Sequence, residues 1–357
     1  MTPLGEKLIS RIRAYGPMTV AEYMEACLSD PFYGYYMRRE PFGRYGDFVT
    51  APEVTQMFGE LIGVWTIVTW EAMGSPREFV LAELGPGRGT LMADLIRTFK
   101  VVPGFADAAR VHLIETSPRL RQIQEATLSS AGTRIAWHTR IEDLPPGPLI
   151  AVANEFFDSL PVRQFRWGGD GWSERMVGVD AEGRLAFLYR PVEQRPLAAP
   201  LPEGAIIETS PVATQIMRML GARIAAAGGA TLVIDYGSER PGHGDTFQAV
   251  RAHEYADPLI APGETDLTAH VDFAALAKAA ADAGALPRPL LTQGEFLNRL
   301  GLPTRVESLS AGKDEATREA LQIAADRLAG EKSMGDLFKV LAVGAPGLAL
   351  PAVDQKS

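Results

Sequence analysis

The sequence predicts an α/β protein: a mostly parallel sheet with helices on both faces, preceded by a helical N-terminal region and interrupted by β-hairpins. Three observations predict it. Apolar, strand-like runs recur along the chain as FVLAEL (79–84), VHLIE (111–115), RIAWHT (134–139), LIAVAN (149–154) and TLVIDYG (231–237). Several are separated by spacers of helical character, as successive parallel crossovers require. The runs barely alternate with polar residues, which marks strands covered on both faces.

Taken in order, Leu4, Leu8, Ile9 and Ile12 recur at helical spacing, and Thr19 to Glu22 form a capping box that opens a second helix. The turn-rich aromatic stretches DPFYGYYM (30–37) and EPFGRYGDF (40–48) carry glycines that let backbone lie close to a neighbour or ligand. From Pro52 to Met73 apolar residues cover more than one stripe, so a helix buried on several sides is expected. Beyond the fourth strand, alternation around GGDG (168–171) and DAEG (180–183) predicts inserted antiparallel hairpins over about 163–205. A loop-rich second insertion follows over about 238–285, and LFKVLAV (337–343) is the final strand. The expected organisation is a helical region over 1–76, a core over 77–345 carrying both insertions, and a mobile tail over 346–357.

With 46% hydrophobic and 22% charged residues in a chain of 357, a sizeable core is affordable and no apolar run reaches membrane-span length. A formal charge of −9 argues against a nucleic-acid partner, which would call for a basic face. The lone Cys27 excludes an intramolecular disulfide and a thiolate zinc cluster, and no metal site is expected. A cytoplasmic protein of bacterial type is the expected setting.

The first strand runs into ELGPGRGT (83–90) and a helix start. Gly85, Gly87 and Gly89 have G-x-G-x-G spacing after Glu83, not the G-x-G-x-x-G of a dinucleotide fingerprint. The loop is similar to that of class I S-adenosyl-L-methionine (SAM) methyltransferases. That resemblance makes Glu115, ending the second strand, a partner for both ribose hydroxyls. Ser117 and Pro118 already supply the following helix with its cap. Glu142 and Asp143 then stand where the adenine amino group binds, or form a solvated turn. Glu83 would face the methionine ammonium, or accept from nearby backbone N–H groups.

DPFYGYYM, GDFVTAPEVTQMFGE, ELGPGRGT, ANEFFDSLPV, IDYG, DPLIAPGETDLTAHVDF, TQGEFL and MGDLFKVL together resemble the MidA-like methyltransferases across residues 4–343. This is the family of the mitochondrial complex I assembly factor that symmetrically dimethylates an arginine of a core subunit. The resemblance implies a seven-stranded class I methyltransferase core with an extra substrate region, and a protein substrate with a target arginine. Its eukaryotic members work in the mitochondrial matrix. The resemblance also makes Thr50, Glu53 and Gln56 a candidate wall of the cofactor site, although Thr50 and Glu53 equally read as a capping box.

In such a fold Asn154, Glu155 and Asp158 emerge beside the transferable methyl. A guanidinium stays cationic in water, and forked carboxylates can orient one nitrogen and hold charge on the others. Glu155 and Asp158 are the expected pair; the plain alternative has Asn154 and Asp158 as caps and Glu155 in solvent. Phe156 and Phe157 read as core, with an acceptor wall as the alternative because an aromatic face can hold a guanidinium, and Asp235 and Tyr236 as strand-end packing or as backing for the site. Glu264, Asp266, His253 and His270 are candidates for a basic-peptide entry or a solvated helix lead-in. Two other functions fit the same loop: a small-molecule O- or N-methyltransferase, and a non-catalytic SAM-binding assembly chaperone.

Overall fold

The computed structural model describes residues 1–38, 50–193, 201–239, 242–251 and 254–354. EPFGRYGDF (40–48) and His253 lie outside them. The main sheet contains β1 (Phe79–Leu84), β2 (Ala109–Ile114), β3 (Ile135–His138), β4 (Leu149–Asn154), β5 (Gly229–Ser238), β6 (Leu286–Pro287) and β7 (Phe338–Gly344). Their spatial order is β6-β7-β5-β4-β1-β2-β3. From β5 to β3 every pairing is parallel, whereas β7 runs antiparallel to β5 and to β6. Every residue of β1 and β4 is buried, as the lack of alternation predicts.

Helices cover both faces. On one side lie α3 (Gln56–Ala72) and α4 (Thr90–Thr98), whose Phe58, Leu61, Ile62, Leu91 and Leu95 join the core. The two cross closely because α3 carries glycines at the contact: a Cβ on Gly59 or Gly63 would fall 2.3 Å from Asp94 or Thr98 side-chain atoms. On the opposite face α6 (Pro211–Ala227) and α7 (Phe273–Asp282) bury Met217, Leu220, Ile224, Phe273 and Leu276. The helix expected over 52–73 is broken at Thr55, which is extended and caps α3 by accepting from the Met57 N–H.

A third core lies over the carboxyl end of the sheet. It joins α1 (Pro3–Tyr15) and α2 (Val20–Ser29) to Val177 of the inserted antiparallel sheet and to Phe247, Ala249 and Leu267. The N-terminal region expected as one unit over 1–76 is therefore divided. Its first two helices belong to this cap, and α3 packs beneath the sheet. The capping box at Thr19 forms in full, a motif that contributes about 1 kcal/mol.

The tail is another correction. Leu348, Leu350 and Val353 are buried against the core, and the Arg288 guanidinium donates to the Asp354 carboxylate at 2.6 Å and to the Leu348 carbonyl at 2.6 Å. Three apolar anchors and a forked cation hold residues 346–354 down. Among the described residues no helix is long and apolar enough to cross a membrane.

Candidate active site

The carboxyl ends of β1, β2 and β4 converge where the strand order reverses, the place at which open α/β sheets bind ligands. A cavity of about 720 Å³ lies there, lined by Gly85, Gly87, Glu115, Glu142, Glu155 and Phe156 and continuing outward between α2 and α6. A small cavity of about 40 Å³ adjoins it, lined by Thr50, Glu53, Glu83, Arg88, Asn154 and Glu155. Glu155 lines both.

The glycine loop turns through φ +64°, +53° and +83° at Gly85, Gly87 and Gly89, backbone that side chains with a Cβ adopt at a cost. At Gly85 a Cβ would also fall 2.8 Å from Phe156 Cδ2. The loop leads directly into α4, and its own bonds hold the turn: the Gly85 N–H donates to the Ile114 carbonyl at 3.1 Å and the Gly89 N–H to the Pro86 carbonyl at 2.7 Å.

Just before the loop, Glu83 is buried and its Oε2 has no hydrogen-bond partner among the described residues. Burial first, and then the nearby Asp94 carboxylate, push its carboxyl up to about 8. A buried carboxylate missing a partner is a costly arrangement that an incoming cation would relieve.

Glu115 follows β2. Its Oε1 accepts from the Ser117 N–H at 2.7 Å, and its Oε2 accepts from Gln124 Nε2 at 3.0 Å. Ser117 caps α5 (Pro118–Thr127), as read from the sequence, and its hydroxyl also donates to the Tyr36 carbonyl at 2.7 Å. Gln124 is a residue that sequence reasoning missed. It is fully buried, donates to the Gly87 carbonyl at 2.9 Å as well as to Glu115, and accepts from Trp137 Nε1 at 3.0 Å. One amide thus ties the glycine loop to the Glu115 carboxylate. The available signal was its place one turn after Leu120, on the inward stripe of α5.

The remaining expected residues are distributed unevenly. Glu142 reaches the rim of the large cavity, paired with Arg140 at 2.9 Å, whereas Asp143 is exposed and lines neither cavity. Thr50 and Glu53 line the small cavity, but their capping box does not form: Thr50 makes no side-chain cap, and Glu53 accepts from the Thr90 hydroxyl. Glu53 is drawn to the glycine loop because Thr90 offers a tertiary donor there. Gln56 sits exposed at the start of α3 and lines neither cavity.

At the end of β4 the chain makes an unusual turn. Glu155 has φ +50°, rare for a residue with a Cβ, and its N–H still continues the ladder to the Ile234 carbonyl at 2.9 Å. Its Oε1 accepts from the Ala51 N–H at 3.1 Å and from Asn154 Nδ2 at 3.0 Å. Burial, reinforced by the Asp158 charge, raises its carboxyl to about 7 against those two donors. Asn154 Oδ1 is buried at the small cavity without a partner among the described residues.

Asp158 does not join Glu155 at the cavity surface, contrary to the expected fork. The turn at Glu155 sends it inward, where it is buried and accepts from the Tyr236 hydroxyl at 2.6 Å. Asp235 accepts from the Phe157 and Asp158 N–H groups at 3.0 and 3.2 Å and so holds the turn from behind. Phe157 is core, whereas Phe156 lines the large cavity, the wall position that the sequence left as the alternative to core. Asp266 is buried and accepts from the Tyr36 hydroxyl at 3.0 Å, and neither Glu264 nor His270 lines the cavities.

The groups fit SAM. Glycine backbone, the paired acceptor Glu115 and the open Oε2 of Glu83 answer a ribose and an ammonium on one molecule.

Comparison with known proteins agrees. The sequence model of a family described as "Putative S-adenosyl-L-methionine-dependent methyltransferase" matches residues 61–289. The protein arginine methyltransferase NDUFAF7, mitochondrial, of Danio rerio is 38% identical over 94% of this chain and 85% of its own. The human protein of that name is 37% identical over 96% and 83%. A Burkholderia thailandensis protein crystallised with S-adenosyl-homocysteine superposes with a TM-score of 0.82 at 27% identity, covering 99% of this chain and 92% of that one. With a class I fold and a cofactor-shaped sheet end, the chain belongs to this family of S-adenosyl-L-methionine-dependent methyltransferases.

Proposed function

We propose that the protein transfers the SAM methyl group to an arginine of a protein substrate. The observation that carries this reading is the position of Glu155, a carboxylate shared by the small cavity at the glycine loop and the large cavity open to an acceptor. The relatives' printed activity supports it.

SAM supplies an electrophilic methyl on a sulfonium, and the protein's task is to align it with an acceptor lone pair. We assign Glu83 to the cofactor ammonium, Glu115 to the ribose, Glu142 to the adenine side, and Thr50, Glu53 and the glycine loop to the walls around the methionine end. Glu155 faces the acceptor guanidinium, localises its charge and takes the proton released on methylation. Asn154 orients Glu155, and Asp158 acts from behind through Tyr236 rather than gripping the substrate.

The finer expectations are part of the same proposal: a respiratory complex I subunit as target, symmetric dimethylation, and action in the bacterial cytoplasm. Mass spectrometry of a strain lacking the gene should show dimethylarginine missing from such a subunit. Retention of every arginine methyl group would refute the target.

Gln124→Leu is expected to weaken SAM binding about tenfold or more in calorimetry, because Glu115 and the Gly87 carbonyl each lose a buried donor. Unchanged affinity would remove Gln124 from the site.

A further inference from the structure

The large cavity extends beyond Glu155 and Phe156 as an arm between α2 and the first half of α6. Leu28, Leu160, Val212, Ile216 and Met219 line it, and Val212 is 43% exposed at its edge. The ionic groups alongside are largely matched already. Arg163 is held by Glu174 through two bonds of 2.7 Å, and Glu22 by Arg11 at 2.8 Å. Glu25 is an exposed carboxylate that also lines the arm. The wall is built in advance: the Ser210 hydroxyl caps α6 and donates to the Pro161 carbonyl at 2.9 Å.

We infer that this arm receives a bulky aliphatic side chain next to the acceptor arginine, so that the substrate is an extended polypeptide segment with such a neighbour. This rests on the arginine reading above. An apolar arm continuous with the site gains by burying apolar surface, and a prebuilt wall binds it without an ordering cost. Glu155 and Glu25 complement a cationic segment and disfavour an acidic one.

The test uses the full-length protein, isotope-labelled SAM and two peptides that differ only in the residues flanking a central arginine, leucine in one and serine in the other. The leucine peptide should be methylated with a kcat/KM roughly tenfold or more above the serine peptide, the scale of discrimination by an apolar subsite. Val212→Asp should erase most of that preference while SAM affinity by calorimetry stays unchanged, and Val212→Leu should keep it. Equal rates on the two peptides, or a preference that survives Val212→Asp, would overturn the inference. If neither peptide is labelled but lysate proteins from a strain lacking the gene acquire labelled methylarginine, the extended-segment inference fails and the arginine reading stands. If no arginine is labelled in peptides or lysate, both fail.

Discussion

Glu155→Gln is expected to bind SAM with near-wild-type affinity and to lose transfer by roughly 10²–10⁴-fold, the usual worth of a positioned acid–base group. The amide is nearly isosteric and can still accept from the Ala51 N–H through its oxygen, so the turn at the end of β4 keeps its anchor. What disappears is the charge facing the guanidinium and the acceptor for its proton. The same carboxyl predicts a pH profile. Burial and Asp158 raise Glu155 to about 7, so the protonated, inactive form grows as pH falls below that value. The kcat/KM of the wild type should rise with pH, about tenfold per unit on the acid side, and level off above about pH 8. Steady-state assays across pH measure both effects, and full turnover by Glu155→Gln would remove the residue from the chemistry.

Glu83→Gln should separate binding from stability. Its carboxyl is raised from 4.5 to about 8 by burial and by Asp94, so the folded protein holds this proton more tightly than the unfolded chain does. That contribution to stability is fully present below about pH 4.5 and is lost as pH rises through about 8. The cofactor-free wild type should therefore melt at lower temperature as pH rises through this window. The glutamine variant should lose that part of the slope and melt a few degrees higher at the alkaline end. SAM affinity should move the other way. Loss of a buried, charge-assisted partner for the ammonium should cost roughly tenfold or more in the dissociation constant. Differential scanning fluorimetry and calorimetry together read both changes, and unaltered SAM affinity would place the ammonium elsewhere.

What the sequence disclosed depended on how local the cause was. The strands were legible because burial on both faces leaves runs without alternation, as in β1 and β4. The glycine loop was legible because its spacing encodes a backbone path, now seen as three positive φ angles. Glu115 was legible as a strand-end carboxylate, and it lines the large cavity. Residues whose partners are distant in sequence were not legible. Gln124 acts on Gly87, 37 residues away, and Glu53 abandons a local capping box for Thr90, again 37 residues away. The fork of Glu155 and Asp158 failed because a left-handed residue at Glu155 redirects the chain, and nothing in FFDSLP announces one. The tail looked mobile because Leu348, Leu350 and Val353 are too few for a periodic pattern, yet Arg288 and the core hold them in place.

The arginine reading is tested most directly by incubating the purified protein with methyl-labelled SAM and proteins from a strain lacking the gene, then mapping the label by mass spectrometry. Labelled methyl groups are expected on arginine guanidinium nitrogens of a protein, present with the wild type and nearly absent with Glu155→Gln. Label confined to small molecules or to side chains other than arginine would contradict it.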